Sequence, residues 1–353
     1  MKRNRAVPRR FSLAIVLANF IAAALLAALA GSMGLGSRLH AQQQPSEHTP
    51  GYQPFGNRPQ SNQQSNSRDQ EPQADLRVSV RLVNVFTTVT DSHGAPVANL
   101  QKEDFKVTED GLLQSVRVFD RESELPLSIV MEVDTSPSTE RDFKLEIVSA
   151  KRFARQILRP VDRLAVYQVT EHVDQLTPFT PDLRTIERGI DSLRVGPGTS
   201  IYDAIFLGSE ALMDREGRKV LVLITDGGDT TSKADYNAAL RRAQQSEAIV
   251  YSIIVVPVEA DAGRNLGGEH ALIQISKDTG GKYYYAEGIN ELDAAFRQIS
   301  EELRTQYLIA YYPNRQVADS PFRRIKVEVT KKDADGKAYQ VRHRAGYYTA
   351  PAR

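Results

Sequence analysis

Five oxygen-bearing residues stand at spacings that suit a hard divalent cation. Asp134, Ser136 and Ser138 form an Asp-x-Ser-x-Ser run. Thr199 lies in Gly196-Pro197-Gly198-Thr199-Ser200, and Asp226 in Leu223-Ile224-Thr225-Asp226-Gly227-Gly228-Asp229. Two carboxylates and three small hydroxyls make an all-oxygen donor set, which suits Mg²⁺, Mn²⁺ or Ca²⁺ better than softer metals. Each residue also has an ordinary use. Ser136, Ser138 or Thr199 could cap a following helix, and Asp226-Gly227-Gly228 could be a strand-end turn.

The elements that would position these residues are legible as hydrophobic patterns. The apolar run Leu127-Ser128-Ile129-Val130-Met131-Glu132-Val133 leads into Asp134, and Val220 to Ile224 leads into Thr225-Asp226. Both read as buried strands. Between and after them, strands and helices alternate. Phe143, Ile147, Ala150, Phe153, Ala154, Ile157 and Leu158 recur at helical spacing and stop at Pro160. Strands are predicted at Arg163–Val169, Val173–Phe179 (an edge hairpin), Ile249–Val256 and Lys282–Tyr285. Helices are predicted at Asp182–Leu193, from the Thr199 loop through Met213, and at Ala234–Gln245, Glu269–Lys277 and Asn290–Leu303. Alternation of this kind predicts a parallel sheet with helices on both faces. In such sheets, ligands bind beyond the carboxyl ends of the strands.

The order Asp-x-Ser-x-Ser, then Thr, then Asp resembles the metal-ion-dependent adhesion site of von Willebrand factor A domains, over roughly residues 125–305. The resemblance implies an α/β fold with a doubly wound, Rossmann-like, mostly parallel sheet. It implies that Ser136 and Ser138 bind the metal directly and that Thr199 binds directly or through water. Asp134 and Asp226 would hold metal-bound waters and set the local charge, with Mg²⁺ the leading ion and Mn²⁺ or Ca²⁺ alternatives. A partner protein's carboxylate would fill the open coordination position. Pro137, and Gly196 and Gly198 about Pro197, restrict their loops and argue against a large integrin-like shape change.

The flanks read differently. Residues 1–41 carry six positive residues and no acidic one, with an apolar run from Phe11 to Gly31 and Leu39-His40-Ala41 as a cleavage site. This is the pattern of a signal peptide, or of an uncleaved membrane anchor. Without those six residues, 39 basic stand against 44 acidic residues, a net of −5. No clustered basic face is evident, so nucleic acid is not an expected partner. A membrane is expected only through the amino-terminal segment. The chain has no cysteine, hence neither disulfides nor thiolate metal sites. Residues 42–75, rich in Gln, Ser, Asn and Pro, read as a disordered linker.

Residues 76–120 alternate as strands, with a turn at Asp91-Ser92-His93-Gly94 and further strands at Phe105–Gly111 and Val116–Phe119 around Asp110-Gly111. Gln306–Tyr312, Phe322–Val329 and Tyr339–Tyr348 read as strands too, with a turn at Lys332-Asp333-Ala334-Asp335-Gly336. The two sets are expected to join into one antiparallel β-sandwich built from residues 76–120 and 306–353. The whole order resembles exported bacterial VWFA-related proteins of the acidobacterial type. The expected function is therefore an exported adhesion or assembly module, periplasmic or extracellular, that binds a protein through a divalent metal. Two alternatives use the same residues: a scaffold in which the metal staples loops, and a metal-dependent hydrolase or phosphotransferase. Against the last, Ser136 stands where phosphoaspartyl enzymes carry a second acidic residue. The histidines show no metal-ligand spacing and read as loop or surface residues. Specificity is expected in loops near Asp203, Asp229, Thr230 and residues 257–268.

Overall fold

The computed structural model describes residues 82–121, 124–136, 143–256, 265–314 and 321–349. The expected leader or anchor, the linker, Pro137, Ser138 and residues 257–264 lie outside the described residues. No helix among the described residues is long and apolar enough to cross a membrane.

The strands before the central domain are β1 (Val83–Thr90), β2 (Phe105–Glu109), β3 (Leu112–Leu113) and β4 (Val116–Arg121). Then come β5 (Leu127–Asp134), α1 (Phe143–Ile157), β6 (Arg163–Val169), β7 (Val173–Gln175), α2 (Leu183–Asp191) and α3 (Ile201–Leu212). β8 (Arg218–Thr225), α4 (Tyr236–Ser246), β9 (Ile249–Val255), α5 (Leu266–Thr279), β10 (Tyr283–Ala286) and α6 (Ile289–Thr305) complete the domain. The chain ends in β11 (Tyr307–Tyr311), β12 (Phe322–Val329), β13 (Gln340–Arg342) and β14 (Gly346–Tyr348).

The central sheet has six strands in the order β10-β9-β8-β5-β6-β7. Every pairing is parallel except β6 with β7. Period-two alternation along β5 decides which side chain meets which layer. Leu127, Ile129, Met131 and Val133 enter the core under α1, α2 and α6. Val130 enters the opposite core, under α3, α4 and α5. Glu132 and Asp134 share the parity of Val130. Glu132 is wholly buried, with neither carboxylate oxygen hydrogen-bonded, and burial holds its carboxyl well above the usual range. The absence of a side chain at Gly208 of α3 makes room for it: a Cβ there would meet Glu132 Oε1 at 2.2 Å.

Two four-stranded antiparallel sheets form the flanking sandwich, in the orders β13-β1-β11-β4 and β14-β12-β2-β3. Each sheet mixes strands from before and after the central domain, so neither flank completes a sheet alone. Val85, Val89, Tyr307 and Ile309 of one sheet pack on Phe105, Val107, Ile325 and Val327 of the other. A polar lock joins the layers inside this core. Glu109 accepts from Tyr311 Oη at 2.8 Å and Tyr347 Oη at 2.9 Å, and pairs with the buried guanidinium of Arg323.

Three strand expectations are corrected. Phe105–Gly111 and Val116–Phe119 do not pair with each other. Asp110 and Gly111, both at positive φ, turn β2 back onto the two-residue β3, while β4 crosses to the other sheet beside β11. Nor is Tyr339–Tyr348 one strand. Its first part pairs with β1 and its last with β12. The break is set by Arg344, which turns inward to Glu247 at 3.2 Å and to the Asn84 carbonyl at 2.6 Å. β7 is also shorter than the expected edge strand, ending at Gln175.

The sandwich packs against the amino-terminal edge of the central sheet. Arg342 of β13 reaches Glu302 of α6 at 2.6 Å and the Gly281 carbonyl at 3.1 Å. Ala345 N–H donates to the Asp278 carbonyl at 2.8 Å, near the end of α5. Arg218, at the start of β8, bonds the carbonyl of Leu303, and burial lowers its pKa to about 10. Helices of a parallel sheet run opposite to its strands, so these helix ends mark the edge away from Asp134.

His343 sits at this seam and is not a free surface histidine. Its Nε2 accepts from Val327 N–H at 3.0 Å, which leaves the proton on Nδ1, facing the Arg344 carbonyl at 2.8 Å. Burial, and secondarily the Arg344 charge, hold its pKa below the ordinary value. The unfolded chain therefore binds this proton first. The histidine's contribution to stability is intact above about pH 6.5 and lost as pH falls through the lower folded value. His343→Gln should lose melting temperature less steeply than the wild type between about pH 7 and pH 5. Equal slopes in thermal scans would remove His343 as a source of acid sensitivity.

Candidate metal centre

β5 and β8 are neighbours, yet the chain goes from β5 outward to β6 and returns to β8 on the other side. This makes the gap beyond their carboxyl ends the switch point of the sheet, where a crevice opens. Asp134 ends β5, and Asp226 directly follows β8. Thr199 stands two residues before α3, with Ser200 between as the N-cap.

Asp134 is fully buried. One carboxylate oxygen accepts from Ser136 N–H at 2.9 Å, the other from Thr225 Oγ1 at 2.7 Å. Burial pushes its pKa up to about 6; the bonds from Thr225 and Ser136 pull it down, and the nearby charge of Asp226 pushes it up again. The groups acting on Asp134 thus include a second carboxylate. Asp226 is half-buried, and its Oδ1 accepts from Gly228 N–H at 3.1 Å. The left-handed backbone of Gly227, φ 88°, shapes that turn.

Thr199 is 4% exposed, and the hydrogen bonds that hold it use its backbone: its N–H donates to Thr230 Oγ1 at 2.9 Å and its carbonyl accepts from Thr230 N–H at 2.8 Å. Gly198 precedes it at φ 67°, where a Cβ would meet Thr231 at 3.1 Å. The loop is also tied to the β5 end, since Gly196 N–H donates to the Thr135 carbonyl at 3.0 Å.

The ordinary uses of these residues can now be weighed. Thr199 is not the N-cap of α3; Ser200 is, and it makes no side-chain cap bond. Asp226 does close a strand-end turn through its Oδ1. The structure brings Asp134, Ser136 and Asp226 to one edge, with Thr199 on the adjoining loop; Ser138 lies outside the described residues.

In the loops expected to carry specificity, Asp203 and Asp229 are tied to the backbone. Asp203 accepts from Lys233 N–H at 3.0 Å and Ala234 N–H at 2.7 Å, and Asp229 from Ile201 N–H at 2.8 Å. Glu269, buried at the start of α5, packs against Gly227 and accepts from Tyr285 Oη at 3.1 Å. Sequence reasoning missed it, because its place beside Asp226 depends on how α5 packs. Among the described residues, no three His, Cys, Asp or Glu gather to hold a metal. A site here would need hydroxyls as well as carboxylates.

Residues 129–228 match the family model of the von Willebrand factor type A domain, a span running from β5 to the turn after β8. Over that span the central α/β domain is similar to von Willebrand factor type A domains. Solved structures similar to the chain include a von Willebrand factor type A protein from Catenulispora acidiphila, 12% identical with a TM-score of 0.45, covering 69% of each chain. BatB from Bacteroides thetaiotaomicron is 18% identical with a TM-score of 0.41, over 51% of this chain and all of its own. The vWF domain of the type V pili tip protein Mfa5 from Porphyromonas gingivalis is 14% identical with a TM-score of 0.42, over 50% of this chain and 94% of its own. No curated protein matches.

The donor chemistry fits a divalent cation. Two carboxylates, Asp134 and Asp226, act on each other here, and the hydroxyl-bearing residues Ser136 and Thr199 stand on the adjoining backbone. A ligand that binds only the folded chain stabilises it by about 2.7 kcal/mol at a hundred times its dissociation constant. Mg²⁺ should raise the melting temperature accordingly, and Asp134→Ala should abolish that rise. An equal Mg²⁺ effect in both proteins would exclude Asp134 from the site.

Proposed function

We propose that this chain is an exported protein-binding module that grips its partner through a divalent cation. Asp134, Ser136, Ser138, Thr199 and Asp226 hold the ion, and an acidic side chain of the partner completes its shell. Mg²⁺ is the leading ion, with Mn²⁺ or Ca²⁺ as alternatives. The observation that carries this reading is the pair of carboxylates at the switch point: Asp134 ends β5, Asp226 directly follows β8, and the charge of Asp226 raises the pKa of Asp134. Ions of this class prefer oxygen ligands, and two carboxylates neutralise the charge without closing the shell.

Capture is favoured over a loop staple by the exposure of the edge. Asp226 and Gly228 are half-buried and Thr230 is exposed, whereas the sandwich covers the opposite edge. Export rests on the pattern of residues 1–41.

The test is binding of peptides bearing a single Asp or Glu to the metal-loaded full chain, beside amide versions of the same peptides. Binding should require both metal and the carboxylate, and Asp134→Ala should abolish it. Metal uptake without any carboxylate-dependent binding would favour the staple. Turnover of simple phosphate esters would favour the hydrolase.

A further inference from the structure

The loop after Asp226 is joined to the segment carrying Thr199 by an unusual exchange of caps. α3 begins at Ile201, and its N-cap Ser200 makes no side-chain cap bond. Ser200 Oγ instead bonds the Glu171 carbonyl at 2.9 Å and Thr231 Oγ1 at 2.8 Å. The first amides of α3 are capped from another loop. Asp229 Oδ1 accepts from Ile201 N–H at 2.8 Å and Tyr202 N–H at 3.3 Å. Ser232 Oγ holds that same oxygen at 2.5 Å and also accepts from Asp203 N–H at 3.1 Å. Asp203 returns the arrangement by accepting from Lys233 and Ala234 N–H. Thr199 is fastened to the same loop by Thr230 N–H.

We propose that Asp229 is a positioning residue of the metal site: by capping α3 from the β8–α4 loop, it fixes Thr199 relative to Asp226. The role rests on the metal-binding reading above. Its consequence is selectivity. Mg²⁺ demands a near-octahedral shell with little tolerance, while Ca²⁺ accepts irregular ones. An arm that sets the spacing of two ligands therefore favours Mg²⁺, and releasing it costs Mg²⁺ more than Ca²⁺.

The test is calorimetric titration of the full chain with Mg²⁺ and with Ca²⁺, for the wild type, Asp134→Ala, Asp229→Ala and Asp229→Asn. Asp229→Ala should weaken Mg²⁺ by about tenfold to a hundredfold, the range for residues that orient metal ligands. Ca²⁺ should weaken less, so the Mg²⁺/Ca²⁺ ratio narrows. Asp229→Asn keeps an acceptor for Ile201 N–H while losing the charge, and should stay within about threefold of the wild type. If Asp229→Ala does not fold, as read by circular dichroism, Asp229→Glu replaces it. That variant keeps the charge, misplaces the acceptor, and carries the same expectation. Wild-type affinity and ratio in Asp229→Ala would overturn the proposal. So would equal weakening in Asp229→Asn and Asp229→Ala, which would assign the effect to charge rather than position. Absence of metal binding by the wild type would instead overturn the metal reading, and the role of Asp229 with it.

Discussion

The arrangement depends on one electrostatic constraint: a buried aspartate held beside another carboxylate at the end of the sheet's central strand. Asp134 is buried, accepts hydrogen bonds from Ser136 and Thr225, and feels the charge of Asp226. Burial and like charge both oppose ionisation, and the hydrogen bonds offset only part of that cost. The geometry follows from the sheet, since strand order makes β5 and β8 neighbours at the switch point.

Opposite this edge, the sheet is closed by a polar seam. Arg342 meets Glu302, Arg344 meets Glu247, and Arg218 meets the end of α6. Buried ion pairs add little net stability, but removing one partner leaves the other charge stranded. Such a seam therefore fixes orientation more than it supplies stability. Because each sandwich sheet needs strands from before and after the central domain, the domain is held at both of its chain ends. The site edge stays clear of this seam.

The parts legible in the sequence share a physical property: they are governed by local pattern. Apolar runs, seven residues over Leu127–Val133 and five over Val220–Ile224, announced β5 and β8, and helical spacing announced α1 and α2. The carboxylates and hydroxyls stood directly after those runs, so their place on the strand ends followed. The illegible parts depend on distant partners. β13 and β14 read as one strand because His343-Arg344-Ala345 carries no turn signal; the break comes from the inward turn of Arg344 to Glu247 and Asn84. Glu132 read as part of a buried strand, but nothing local showed that Gly208 would make room for its carboxylate. Asp203 and Asp229 read as loop carboxylates, and their amide partners lie about thirty residues away in sequence.

The two arms of the candidate site are consequently unequal. The Asp226 and Thr199 arms are bound to each other by reciprocal caps, side chain to backbone in both directions. The Asp134 arm is a strand end, fixed by the central sheet and joined to the Thr199 loop through Gly196 N–H and the Thr135 carbonyl. Movement of Thr199 toward or away from an ion would have to carry Thr230, Asp229 and the first turn of α3 along. That is a costly motion, because the α3 amides would lose the acceptor that stands in for a local cap. A site so built favours a ready-made shell over one assembled by a large shift. Pro197 between two glycines restricts the same loop through its own ring, while the caps tie it to α3 and to the segment after Asp226.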